Sequence, residues 1–157
     1  MRSQIQRPES RAITRYIAIQ YKGTGPDLLP SKTAAQVAAI ECWLEAESQH
    51  YSPPVSKISF ELLIKPMIGL VTDQAAVEAE AEKLSKVLDV YEDRLSKNKY
   101  FAGDEFTLAD LNHMPLMNNL MKTSKAELVE ARPHVKAWWD DVSARPAWQK
   151  TAAGIKM

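Results

Sequence analysis

An all-α fold is what this sequence predicts, and three observations predict it. Apolar residues recur at intervals of three and four in every long segment. No segment alternates apolar and polar residues with β-branched enrichment, so no strand is expected. Helix starts are marked by capping chemistry, most clearly in Phe106-Thr107-Leu108-Ala109-Asp110-Leu111.

The elements follow in order. Ala12, Ile13, Tyr16, Ile17 and Ile19 predict a first helix over about Glu9 to Tyr21, apolar on more than one side. Gly23 and Gly25 with Pro26 predict a loop. Thr33 is the expected N-cap of a helix carrying Val37, Ile40 and Leu44. Pro53-Pro54 is expected to kink or end that helix. The apolar run Ile58 to Met67 follows. Val77, Leu84, Val87, Leu88, Tyr91 and Leu95 share one face of a helix over about Asp73 to Ser96. Gly103-Asp104 marks a turn. Val135, Trp138, Trp139 and Val142 predict a helix between Pro133 and Pro146. The expected architecture is a bundle of about six or seven helices.

The segment around Thr107 carries the sharpest local prediction. The Thr107 hydroxyl is expected to cap the Asp110 N–H, and the Asp110 carboxylate to reach back to the Thr107 N–H. Phe106 and Leu111 then flank the cap as a hydrophobic staple. Loss of such a cap costs roughly 0.5–2 kcal/mol. Asp110 is therefore read as structural rather than catalytic.

Composition bounds the function. The 157 residues suit one domain with a real core, 45% hydrophobic and 25% charged. Twenty basic residues balance twenty acidic ones. That mixture gives no field to hold nucleic acid or an anionic membrane. The stretch Leu62 to Val71 is interrupted by Lys65 and Pro66 and is too short to span a bilayer. A single cysteine, Cys42, excludes an intrachain disulfide and suits a reducing compartment. The N-terminus shows no apolar secretory segment. The expected location is the cytoplasm.

Few side chains offer reaction chemistry. Cys42 is read as a small buried hydrophobe. His50, His113 and His134 lack second ligands at metal spacing and are read as structural or surface groups, so no metal site is expected. Met114, Met117 and Met121 are read as core filling. Ser10 opens the first helix and is read from its place as a simple N-cap. Phe60, Ile64 and Met67 fall at i, i+4 and i+7 on one helix face, a spacing that usually marks core.

Four segments together resemble the glutathione transferases. They are Glu9-Ser10-Arg11-Ala12-Ile13, the run Phe101-Ala102-Gly103-Asp104 leading to Phe106-Thr107-Leu108-Ala109-Asp110-Leu111-Asn112-His113, Pro133-His134-Val135-Lys136-Ala137-Trp138-Trp139, and Arg145-Pro146. The last two resemble the phi class, known mainly from plants. The resemblance covers essentially the whole chain. It implies residues 23–157 as a glutathione-transferase C-terminal helical bundle, preceded in residues 1–22 by the last helix of a thioredoxin-like domain. Met1 to Arg7 reads as a short leader in place of the rest of that domain.

The resemblance also implies an activity. Glutathione, as co-substrate and with no further cofactor, would be conjugated to apolar electrophiles in detoxification or stress. The family's acid meets the γ-glutamyl ammonium and its serine the carboxylate, which implies Glu9 and Ser10 as a partial glutathione site. Phe60, Ile64 and Met67 would line the acceptor pocket. The serine that activates the thiol has no counterpart here, and Ser3 is not in a strand-to-helix context, so no catalytic residue is assigned and activity is expected to be weak or absent. The alternatives are a non-catalytic binder of apolar ligands and an interaction protein using the first helix. The apolar face of that helix predicts a homodimer or other self-association.

Overall fold

The computed structural model describes residues 9–154; the expected leader and Ser3 lie outside the described residues. Helix α1 spans Ser10–Gln20. A loop follows, and then a continuous helical path from Ala34 to Met67. It consists of α2 (Ala34–Ala46), a π-helical turn (Glu47–Tyr51), α3 (Ser52–Ser59), a second π-helical turn (Phe60–Ile64) and α4 (Lys65–Met67). Helix α5 spans Gln74–Leu95. The remaining helices are α6 (Leu108–Leu111), α7 (Met114–Leu120), α8 (Glu127–Glu130), α9 (Pro133–Ser143) and α10 (Pro146–Gly154). Among the described residues there is no strand, only the isolated bridge between Tyr100 and Gly103.

Of the two expected outcomes at Pro53-Pro54, the helix does not end there. The π-helical turn just before it supplies the reason. Ser52 donates its N–H to the Glu47 carbonyl, five residues back. The widened turn leaves room for the proline rings and for carbonyls that lack a donor. The same device precedes Pro66, where Lys65 donates to the Phe60 carbonyl. Gly69, at φ 76°, then stops the path. Its positive φ lets Leu70 donate back to the Lys65 carbonyl at 2.8 Å.

Helix α5 lies against α3 and α9, and α3 also against α7. Their buried faces meet in one core of Tyr51, Val55, Ile58, Leu84, Leu88, Tyr91, Phe101, Met117, Val135, Trp138 and Val142. Met114 and Met117 fill this core, and Met121 packs against it. A smaller cluster of Ile40, Leu44 and Leu108 joins α2 to α6. Asp73 caps α5 through the Ala76 N–H, and Thr33 caps α2 through the Gln36 N–H.

The capping box at Thr107 forms as the sequence predicts, and the Ala109 N–H shares the Thr107 hydroxyl. The Thr107 hydroxyl accepts from the Ala109 N–H at 3.2 Å, and the Thr107 N–H donates to Asp110 Oδ2 at 3.0 Å. Asp110 does more than cap. Its Oδ1 accepts from the Phe101 N–H at 3.1 Å and from Trp138 Nε1 at 3.0 Å. The carboxylate thus ties the Tyr100–Gly103 turn, α6 and α9 together. Burial pushes its pKa up from the usual carboxylate value, opposed by these donors.

Candidate functional site

Helix α1 opens the candidate site. Glu9 is the N-cap, with extended backbone at φ −84° and ψ 104°, and its side chain makes no capping bond. Ser10 is already helical, so it is not the N-cap that the sequence suggested. Both side chains are exposed. No acidic residue occupies the first turn of α1. Its leading N–H groups therefore keep their partial positive charge for an anion.

Arg11 anchors this helix end. Its Nε and Nη2 donate to Glu47 Oε2 and Oε1 at 2.7 and 2.9 Å. Glu47 is 1% exposed, in the first π-helical turn. The Glu47 hydrogen bonds raise the Arg11 pKa above its ordinary value. One helical turn on, Arg15 pairs with Glu41 of α2. These two pairs fix α1 against the long helical path.

Beside them lies a cleft of ≈ 400 Å³. Ser10, Arg11, Thr14, Glu47, Ser52 and Ser56 line one side, and Leu111, Pro115, Leu116 and Trp148 the other. Asn112 also borders it, and its Nδ2 is buried with no acceptor among the described residues. A helix N-terminus, several hydroxyls and an apolar wall suit a ligand with an anionic end and an apolar body.

Phe60, Ile64 and Met67 are 40%, 37% and 61% exposed. They are therefore not core. Ile68, Leu70 and Val71 are exposed after them, so the end of the long helical path presents a run of apolar side chains. Glu61 braces this end. Its carboxylate accepts from Lys65 Nζ at 2.7 Å and the Asp73 N–H at 2.9 Å, with Lys57 Nζ at 3.2 Å. The Lys65 bond, followed by the Asp73 N–H, holds its pKa down to about 2.

The other candidates resolve simply. Cys42 is exposed, not buried. It falls two residues from both Ile40 and Leu44, which turns it away from the face those residues bury. His113 is fully buried. Its Nδ1 donates to the Ala109 carbonyl at 2.6 Å, so Nε2 accepts from the Tyr91 hydroxyl at 2.9 Å. Burial lowers its pKa to about 3. His50 is exposed, and His134 pairs at the surface with Glu92 at 2.6 Å. Among the described residues no three His, Cys, Asp or Glu side chains converge as a metal site. No helix of the described residues is long and apolar enough to cross a membrane.

Arg11, Glu47 and Asn112 were not singled out from sequence. Arg11 directly follows Glu9-Ser10, which was the one available clue. Glu47 gives no local sign of burial, because its partner lies 36 residues away.

Comparison with known proteins places the fold in a family. A family model described as the glutathione S-transferase C-terminal domain matches residues 51–146. Glutathione S-transferase 3 of Zea mays is 53% identical over 151 residues, covering 95% of this chain and 67% of that protein. A glutathione S-transferase of Hyoscyamus muticus is 55% identical over 142 residues, covering 90% of this chain and 66% of that protein. The chain thus spans about two thirds of the length of these relatives. The apo structure of glutathione S-transferase III superposes with a TM-score of 0.90 at 56% identity, over 95% of this chain and 68% of that one. A similar maize glutathione S-transferase I, at TM-score 0.86 and 46% identity over 92% of this chain and 67% of that one, is in complex with an atrazine glutathione conjugate. The chain belongs to the glutathione S-transferase family, to its plant phi class, and carries the C-terminal helical domain of that family.

Proposed function

We propose that this chain binds glutathione at the start of α1 and an apolar electrophile beside Phe60, Ile64 and Met67, as the helical part of a phi-class conjugating enzyme. Glu9 meets the γ-glutamyl ammonium, and Ser10 with the first N–H groups of α1 meets the neighbouring carboxylate. The reaction is attack of the glutathione thiolate on the acceptor: a carbon–sulfur bond forms and the leaving group departs with its electron pair. A free thiol with a pKa of about 8.5 needs a donor to hold the anion near neutral pH. The resemblance gives that task to a serine with no match in this sequence. The residues of this chain bind and orient the two substrates.

Residues 1–22 are taken as the end of the thioredoxin-like part and 23–157 as the helical domain. The proposed location is the cytoplasm. The proposed assembly is a homodimer or other self-association through the apolar side of α1.

The observation that supports this reading is the exposed Glu9-Ser10 pair at the start of an 11-residue helix whose first turn carries no acid. Calorimetric titration of the chain with glutathione tests it. Saturable binding that Glu9→Ala removes is expected. No heat at millimolar glutathione, or binding indifferent to Glu9→Ala, overturns it.

A further inference from the structure

A second concavity shares Leu111 and Trp148 with the cleft at α1. This slot of ≈ 260 Å³ is walled by Pro26, Leu28, Phe106, Met114 and Trp148, and Arg145 closes its rim. No Asp or Glu lines it. Apart from Leu111 and Trp148, every residue that lines the slot is absent from the lining of the cleft. Glu9, Ser10, Phe60, Ile64 and Met67 take no part in the slot.

Arg145 is the informative residue. Its guanidinium carbon sits 4.0 Å from the Phe106 ring centroid. At that distance the cation lies over the ring, a contact that uses none of its N–H donors as hydrogen bonds to a protein oxygen. Other arginines spend those donors on the protein. Arg11 and Arg15 bond carboxylates, Arg94 the Phe101 carbonyl, and Arg132 Asp89 with the Leu128 and Ser85 carbonyls. The Arg145 guanidinium has no such acceptor among the described residues. A planar fork of donors beside an acid-free aromatic slot matches a planar carboxylate carried on a ring.

We propose that this slot binds a small aromatic carboxylate, its ring between Phe106, Met114 and Trp148 and its carboxylate on the N–H donors of Arg145. The volume admits one or two fused rings and excludes a tripeptide conjugate. The slot is separate from the glutathione site, so the two ligands bind without displacing each other.

The test is calorimetric titration of the full chain with naphthalene-2-carboxylate and with its neutral isostere naphthalene-2-carboxamide. The carboxylate is expected to bind saturably, about tenfold or more tighter than the carboxamide, as suits a charge-assisted bond. Arg145→Gln is expected to remove that preference. Ala147→Phe keeps Arg145 but places a ring in the slot, and is expected to abolish binding of both probes. Circular dichroism checks that each variant is folded, and Ala147→Phe decides alone if Arg145→Gln is not. Saturating glutathione and Glu9→Ala are expected to leave the carboxylate affinity unchanged. The proposal is overturned by no saturation at 1 mM probe, by equal affinity for the two probes, by binding that survives Ala147→Phe, or by displacement with glutathione. Those outcomes are independent of whether glutathione itself binds at α1.

Discussion

His113 and Tyr91, 22 residues apart in the chain, meet at 2.9 Å in the centre of the bundle, with the phenol donating to a neutral imidazole. Phe101 stacks on the same imidazole at 4.4 Å, and Trp138 meets it edge-on at 6.1 Å. A protonated imidazole would hold its charge away from water there, with only a carbonyl and a phenol as partners and no carboxylate bonded to it. The bundle is thus built around a histidine that must stay uncharged.

Acid stability follows from that requirement. The His113 pKa falls from 6.5 to about 3 on folding. Between those values the unfolded chain holds more protons, so stability is whole above the unfolded value and is lost as pH falls through the window. Glu61, held at about 2 against 4.5, acts in the same direction at lower pH. Asp110, whose pKa is raised, acts against them. Urea unfolding from pH 7 to pH 4 is expected to show falling stability, with about 1–4 kcal/mol lost through His113. His113→Phe should flatten the upper part of that slope; an unchanged slope contradicts the prediction.

Asp110 gathers donors from three segments of chain. Asp110→Ala leaves the Phe101 and Thr107 N–H groups and the Trp138 indole N–H without acceptors. A loss of about 3–5 kcal/mol is expected, with Asp110→Asn about half as damaging. Chemical denaturation with Trp fluorescence measures both.

Arg11→Met leaves the Glu47 carboxylate buried without its bidentate partner. Arg11 is itself 33% exposed, so the cost is discounted to about 1–3 kcal/mol. Amide exchange should quicken across α1 before it does in α5, and Glu47→Gln in the same chain should recover part of the loss. Uniform quickening across all helices would show that the pair does not specifically hold α1.

The apolar side of α1 should drive self-association. Ile13, Tyr16, Ile17, Ile19 and Tyr21 are 37–66% exposed. Burying one such side chain gains roughly 1.5–3 kcal/mol. Sedimentation at micromolar concentration is expected to show a species larger than the monomer, shifted to monomer by Tyr16→Glu with Ile17→Glu. A monomer before mutation contradicts this.

Cys42 should react with a thiol reagent such as dithiobis-nitrobenzoate in the native state, releasing about one equivalent, because its side chain is exposed. Reaction only after denaturant would show that the thiol is covered in solution.

What the sequence determined by itself is what neighbours along the chain determine. The spacing of Val77, Leu84, Leu88, Tyr91 and Leu95 fixed α5 and its buried face, since one helix turn brings those positions together. Pro133 set the start of α9, and Thr107 with Asp110 set the start of α6, because their partners lie within three residues. The Glu9-Ser10 pair was legible for the same local reason, as the start of α1.

Only the tertiary structure decided the rest. Pro53 reads locally as a breaker, yet packing of α3 against α5 and α7 holds the helix through it, with a π-helical turn taking up the misfit. Cys42 looks apolar locally, but the face of α2 that meets α6 lies elsewhere. Thr107 alone explains a cap; Trp138, 28 residues on, makes Asp110 a junction. Glu47 and Arg11, and the slot under Arg145, likewise join segments far apart in sequence. No local pattern encodes such partners, because burial and ion pairing there depend on which faces the folded chain brings together.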